Sequence, residues 1–257
     1  MTVPAGGYDP SFYESLYAAE DWHFWFRSRN AVIATMAAQA IAGLSPGYRV
    51  LELGCGNGNV TRLLQTACSD GLVIGMDLFG EGLHNAKLRG VPLLVQADVN
   101  QAPFVKKFHV IGMFDVLEHI PNDRAILNQV FDLLEPGGKL LLTVPAHREL
   151  WSYFDEASHH CRRYEIPDLR TKLTESGYRI DYLSQYMMAL YPLMWLGRRF
   201  PRRNRGGDGG QLAREEFQVA PILNAALHFV LAQELRWLAK RAHLPIGTSL
   251  IAVAQKP

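Results

Sequence analysis

The sequence is poor in cysteine, in unbroken apolar runs and in net charge, and each shortage removes a class of protein. Its 257 residues carry three cysteines, Cys55, Cys68 and Cys161, too few and too scattered for a disulfide framework or a CxxC metal site. That usage fits a reducing compartment, so a cytoplasmic location is expected. The 26 basic and 25 acidic side chains leave a formal charge of +1. Nothing therefore draws the whole chain to nucleic acid, and any anion site must be local. Apolar stretches are interrupted by Tyr, Gln, Pro or charge before they reach spanning length. The opening MTVPAGGYDP has neither the basic nor the apolar region of a signal peptide, and none is expected. What is present is 48% hydrophobic and 20% charged, the balance of a packed globular chain long enough for one large domain.

Patterning predicts helix over about Phe12 to Ala42, with aromatic side chains gathered at Trp22, Phe24, Trp25 and Phe26. A β-rich run, Tyr48 to Leu53, stops at glycines and precedes a helical Val60 to Ala67. Strand-like Leu72 to Leu78, helical Glu81 to Leu88, and strand-like Pro92 to Ala97 follow. Then come a strand from His109 to Phe114 and a helix near Asn122 to Leu134. Glu135-Pro-Gly-Gly reads as a turn, with glycine at positive φ after a helix end, before a fifth strand, Lys139 to Val144, stopped by Pro145. Such alternation indicates βαβ units and a parallel sheet with right-handed crossovers. Beyond Pro145 the order is helix (Ile166 to Ser176, ended by Gly177), strand (Tyr178 to Tyr186), and an apolar helical stretch from Met187 to Phe200. An arginine- and glycine-rich loop from Pro201 to Gly210, expected to be mobile, leads to a long helix from Ala220 to Ala242 and a strand from Ser249 to Ala254. The expectation is a single α/β domain, with a helical segment through residue 46 and a helical cap inserted over 187–247.

The strongest motif is ELGCGNG, Glu52 to Gly58, at the end of the first strand. Gly54 permits a tight turn, and Gly56 and Gly58 let backbone approach a ligand with no Cβ between. Open α/β sheets bind ligands at this carboxyl edge. A dinucleotide site would need GxGxxG, and here the third glycine comes one residue early. Two acids follow at the ends of the next strands. Asp77 stands where a carboxylate takes ribose hydroxyls, and Asp98, in QADVN, where a side chain reaches an adenine amino group. Either acid alone is equally well a helix N-cap; the three elements in order are harder to obtain from structural need.

This series, together with FDVLEHI at 114–120 and LEPGGKLLLTVP at 134–145, resembles the motifs of class I S-adenosylmethionine-dependent methyltransferases, closely over Arg49 to Pro145. The flanking WHFWFRSR at 22–29 and HHCRRY at 159–164 resemble a bacterial branch acting on small molecules. The resemblance implies a doubly wound, seven-stranded sheet whose last strand runs antiparallel, and S-adenosylmethionine as cofactor. It implies that Gly54, Cys55, Gly56 and Gly58 pass under the methionine portion, that Asp77 and Asp98 hold ribose and adenine, and that Asp115 lies at the methionine end. Glu52, Leu78, Val99 and Phe114 join that set, with Trp25 over the cofactor and Arg27 near its carboxylate; the aromatic group reads equally as the buried side of a helix.

Methyl transfer requires alignment of the acceptor and, for some acceptors, removal of a proton. His119, in Glu118-His119, is either that base or a loop-fixing residue. In DEASHHCRRY, residues 155–164, His159 and His160 are further bases, and Tyr164 joins them as a catalytic residue. Arg162 and Arg163 suit an anionic acceptor; the plain alternative is a charged surface turn. Asp155, Glu156, His159, His160 and Cys161 imitate a metal cluster, but the chemistry needs no metal and none is expected. Met187 and Tyr191, at the start of the inserted stretch, are placed with the acceptor. About sixty residues separate the sixth strand from the last, far more than a hairpin needs. Five arginines (Arg198, Arg199, Arg202, Arg203 and Arg205) follow its apolar first part. Three readings of this insert stand: a substrate lid, a homodimer contact, or a membrane-surface contact. The expected function is methylation of a small, fairly apolar acceptor at oxygen or nitrogen. A peptide or protein terminus as acceptor and a non-catalytic binding module are the alternatives.

Overall fold

The computed structural model describes residues 11–199 and 217–257. Seven strands, β1 (Arg49–Leu53), β2 (Leu72–Asp77), β3 (Leu94–Gln96), β4 (Phe108–Phe114), β5 (Leu134–Pro145), β6 (Arg179–Tyr186) and β7 (Ser249–Gln255), form one sheet in the order β3-β2-β1-β4-β5-β7-β6. The first five are parallel and β7 runs antiparallel between β5 and β6. This is the seven-stranded methyltransferase fold that the motif series implies.

Central strands of such a sheet are covered on both sides, so they read as continuous apolar runs. Successive side chains enter opposite cores. Leu51, Leu53, Ile111, Met113, Leu140 and Leu142 pack with α5 (Asp123–Leu133) and α7 (Ile166–Glu175). Val50, Val110, Phe114, Leu141, Ile251 and Val253 face α2 (Phe24–Ile41) and α3 (Asn59–Ala67). The remaining helices are α1 (Ser11–Ala19), α4 (Gly80–Leu88), α6 (Tyr153–Ala157), α8 (Tyr191–Arg199) and α9 (Pro221–Leu238). From β1 the chain winds outward to β3, then returns to place β4 on the other side of β1. The crevice beyond the ends of β1 and β4 is the switch point at which this architecture binds ligands.

The structure departs from the sequence reading in four places. The first helix is two: the chain breaks after α1, and His23 caps α2 by accepting from the Trp25 N–H at 3.3 Å. The Glu135-Pro-Gly-Gly turn is an irregular passage inside β5, whose pairing steps from Phe108–Leu134 to Val110–Lys139, with Gly137 at φ +77°. Tyr153–Ala157 is a short helix closed by a capping box between Ser152 and Asp155. Met187 sits outside any helix at φ +60°, and α8 starts only at Tyr191, with Pro192 in its first turn. The loop expected at 201–210, with Arg202, Arg203 and Arg205, lies outside the described residues.

Between β6 and β7, α9 lies on α2. Asn224 accepts from the Phe24 N–H at 2.7 Å and donates to the Trp22 carbonyl at 3.0 Å, while Leu231 and Leu238 are buried beneath it. Glu234, also buried, accepts from the N–H groups of Met188 and Ala189 at 3.0 and 2.9 Å. That carboxylate fastens the chain leaving β6 to α9. Among the described residues no helix is long and apolar enough to cross a membrane.

Candidate functional site

A cavity of about 1070 Å³ opens at the switch point, floored by the ends of β1, β2 and β4 and walled by α2, α8 and α9. Its floor is the turn after β1. The Gly54 and Cys55 N–H groups both bond the Met76 carbonyl, at 2.8 and 3.0 Å, which folds the turn over β2. Gly54 has φ +72°, and a Cβ there would stand 2.4 Å from Val116 Cγ2. Glycine is obligatory where positive φ and close approach coincide. Gly58 also has φ +72°, but its virtual Cβ meets Ala86 at 2.6 Å and it does not line the cavity. It lets α3 pack closely onto Ala86 of α4 and Val91, a packing reason for that glycine beside the expected ligand role.

Glu52 is buried under the turn and accepts from the Thr61 hydroxyl; burial pushes its carboxyl up to about 8. Asp77 accepts from the Gly56 N–H at 2.7 Å, the Phe79 N–H at 2.9 Å and the Tyr13 hydroxyl at 3.2 Å. A carboxylate offers about four lone-pair sites, so capacity for another donor remains. Burial nevertheless raises its carboxyl. Asp98 accepts from the Asn100 N–H at 2.8 Å, capping a short 3-10 turn at the cavity edge. The capping side chain thus stands at the cavity edge. Cys55, Gly56, Leu78, Val99, Phe114 and Trp25 also line the cavity.

At the other side of the floor, Asp115 takes φ +57° and pairs with Arg29 at 2.8 Å. Arg29 lies over the rings of Trp25 and Phe26, 5.1 and 5.7 Å from their centroids. The arginine that α2 brings to the cavity is therefore Arg29, not Arg27: helical periodicity puts 25, 26 and 29 on one face of α2 and turns 27 to solvent. Trp22 likewise points outward, its indole N–H bonded to the Ala18 carbonyl.

The ionisable segment after β5 folds back onto the turn after β4. The Cys161 N–H donates to the Glu118 carbonyl at 2.7 Å, which brings His160 against His119 with ring centroids 4.7 Å apart. Both histidines line the cavity. Burial, reinforced by neighbouring His160, lowers His119 to about 3, so it is neutral at any physiological pH. His160 Nδ1 is 2.9 Å from Asp155 Oδ1. Arg163 grips the same carboxylate with two bonds, at 2.8 and 3.0 Å. Burial alone would raise Asp155, but the bonds from His160 and Arg163 outweigh it and hold the carboxyl at about 2. Glu118 is wholly buried with Oε2 lacking a hydrogen-bond partner, and burial raises it well above the usual carboxylate range. Glu118, His119 and His160 offer donor atoms within 4.8 Å of one another, a nitrogen-and-oxygen set able to hold a divalent cation. The five residues weighed as a metal cluster at 155–161 do not converge in this way.

Several expected site residues fall elsewhere. His159 is exposed at φ +55° and does not line the cavity. Tyr164 is fully buried, its hydroxyl bonded to Asp123 at 3.0 Å; burial raises its phenol, and it is a core residue. Arg162 pairs with Asp123 at 2.6 Å on the far side of the segment. Arg163 reaches the cavity wall, but its guanidinium is committed to Asp155, so it positions His160 and leaves no fork for an anion. Met187 is buried under the cavity wall, and Tyr191 bonds Glu149 at 2.9 Å outside it. Conversely, Tyr13, His23, Asn57, Trp151, Phe154 and Leu223 line the cavity and were not singled out. Of these only Asn57, inside the glycine motif, and His23, inside WHFWFRSR, carried a signal in the sequence. His23 is held neutral by burial, lowered to about 4, and its Nε2 has no hydrogen-bond partner among the described residues.

A glycine turn after β1, acids closing β2 and β3, and a cavity at the switch point of a 3-2-1-4-5-7-6 sheet define a class I S-adenosylmethionine-dependent methyltransferase domain. Residues 18–183 match the family model described as a methyltransferase domain, and the chain belongs to that family. Relatives include the ubiquinone biosynthesis O-methyltransferases of Bordetella avium, 29% identical over 107 residues, and of Psychrobacter cryohalolentis, 32% identical over 124 residues. The matches cover 39% and 45% of this chain and 44% and 47% of those relatives, so the chain spans under half the length of the curated relatives it matches. Among solved structures, magnesium protoporphyrin IX methyltransferase from Synechocystis with bound S-adenosylmethionine superposes with a TM-score of 0.53 at 16% identity. That match covers 91% of this chain and 82% of the other. A candidate sarcosine dimethylglycine methyltransferase of Galdieria sulphuraria gives 0.63 at 14% identity, covering 96% and 98%. At such identities the likeness concerns the fold.

Proposed function

We propose that the protein transfers a methyl group from S-adenosylmethionine to the hydroxyl oxygen of a small, fairly apolar acceptor, with His160 as general base. The cofactor's residues fit the group. The glycine turn forms a cradle that a Cβ at Gly54 would fill, and Asp77 keeps spare acceptor capacity at the cavity edge. Asp77 and Asp98 would hold the ribose and adenine, and Asp115 with Arg29 the methionine end. When bound, the cofactor supplies an electrophilic methyl group on a sulfonium leaving group.

The observation that carries the choice of base is the chain His160–Asp155–Arg163. Asp155 is an obligate acceptor, so it fixes His160 Nδ1 as the N–H donor and leaves Nε2 to accept a proton. The proton leaving the acceptor oxygen goes to Nε2, and the Asp155 carboxylate stabilises the imidazolium. His119, lowered to about 3, is too weak a base to serve, and His159 is outside. Trp151 and Phe154 with Leu193, Met194, Leu223 and Leu227 line the remaining volume, which favours an apolar acceptor and excludes water. The names of the ubiquinone biosynthesis relatives support oxygen as the methylated atom. The test is mass spectrometry of products after incubation with S-adenosylmethionine and three panels: alkylated phenols and alcohols, amines, and peptides with free termini. Methylation at oxygen within the first panel, lost in His160→Ala, is the expected result; products only among the amines or peptides would refute the reading.

A further inference from the structure

Helix α9 has two apolar faces, and the described chain covers only one. Leu231 and Leu238 pack inward toward α2, whereas Ile222 and Phe229 are 87% and 67% exposed and Val230 and Trp237 are exposed beside them. The spacing 222/229 and 223/230/237 makes one outer stripe along the helix. On α8, Leu193, Trp195 and Leu196 are exposed as well. Singly exposed apolar side chains are ordinary, but two consecutive helices that each expose several mark an interaction surface.

Charge identifies the partner. Over the described residues 187–199 and 217–246 the cations are Arg198, Arg199, Arg236, Lys240 and Arg241. The one carboxylate is Glu234, buried and bonded to Met188 and Ala189. Among the described residues the exposed cations on and directly after the two helices are thus Arg199, Arg236 and Lys240; neither helix exposes an acid of its own, and the exposed acid beside them is Glu149, bonded to Tyr191 at the start of α8. A second copy would set like charges together. An anionic bilayer complements both properties, taking the apolar stripe into the headgroup boundary and the cations onto phosphates. Trp195, with the Arg199 guanidinium 3.8 Å from its ring centroid, and Trp237 are residue types favoured at that boundary.

We infer that the outer faces of α8 and α9 dock the protein onto an anionic lipid surface. Leu193 and Leu223, on those same helices, also line the cavity, so an acceptor dissolved in the bilayer would reach the site along an apolar route. That last step rests on the apolar-acceptor reading; the docking itself does not. The test is co-sedimentation of the full chain with phosphatidylcholine vesicles, with and without about 30% phosphatidylglycerol. Binding to the anionic vesicles alone is expected, weakened by about 0.5 M salt. Ile222→Glu/Phe229→Glu and Arg236→Glu/Lys240→Glu should each reduce it about tenfold or more while S-adenosylhomocysteine affinity, read by calorimetry, stays that of wild type. No sedimentation with either vesicle would overturn the proposal. So would a wild-type dimer, seen by analytical ultracentrifugation, that the first variant dissolves without any vesicle binding. Either failure leaves methylation of soluble acceptors unaffected, so it is distinguishable from failure of the functional reading.

Discussion

Compare the floor of the cavity with the wall that α8 and α9 build above it. The floor is backbone: the turn at residues 54–58, the Asp77 and Asp98 strand ends, and the strained Asp115 between β4 and the next turn. Each part lies within a few residues of a strand terminus, so short-range constraints fix it. The wall is side chain, brought in by helices far downstream in the chain and held by contacts such as Asn224 with α2. A floor of this kind serves one invariant cofactor, whereas a wall of apolar side chains can vary with the acceptor.

The largest expected effect falls at the junction of the two. His160→Ala should lower kcat by about 10²–10⁴-fold, and Asp155→Asn should follow it if orientation of Nδ1 is what matters; equal turnover in both variants and wild type would remove the base. On the floor, Gly54→Val drives side-chain carbon into Val116 at positive φ. It should weaken S-adenosylhomocysteine binding by about 100-fold or more while the acceptor wall is untouched. Arg163→Met leaves the buried Asp155 carboxylate without its cation and should cost about 3–5 kcal/mol in denaturant unfolding.

Protonation gives a smaller, signed test. His23 and His119 have folded values near 4 and 3, below the unfolded value of 6.5. The unfolded chain therefore binds more protons as pH falls, and their stabilisation, complete above about 6.5, is lost on acidification. Glu52 is raised from 4.5 to about 8, so its contribution is complete below 4.5 and lost as pH rises to 8. The histidines thus oppose acidification and Glu52 opposes alkalinisation, and Glu52→Gln should flatten the alkaline side of the melting-temperature profile. An unchanged alkaline slope in that variant would contradict the burial argument. The smallest contrast is between neighbours on α2: Arg29→Ala should weaken S-adenosylhomocysteine binding about tenfold, and Arg27→Ala should leave it alone.

The floor was legible in the sequence because its signals are local. ELGCGNG, Asp77 and Asp98 stand where strand ends put them; alternation of elements indicated the parallel βαβ sheet, and the family resemblance implied its seven strands with the last antiparallel. What was missed depends on long-range packing. Arg27 and Arg29 are indistinguishable until the break at residues 20–23 sets the rotation of α2. His159 and His160 are adjacent, and only the bond from Cys161 to the Glu118 carbonyl decides which faces the cavity. Tyr164 and Arg162 were drawn into the site by their company, yet both answer to the buried Asp123. Gly58 looked like its neighbours in the motif, and only the structure shows the Ala86 contact that its lack of a Cβ permits.

The division between floor and wall is tested most directly by calorimetric titration of S-adenosylhomocysteine into wild type, Asp77→Ala and His160→Ala. The account predicts binding to wild type, at least about a tenfold loss in Asp77→Ala, and wild-type affinity in His160→Ala. No binding to wild type, or equal loss in the two variants, would contradict it.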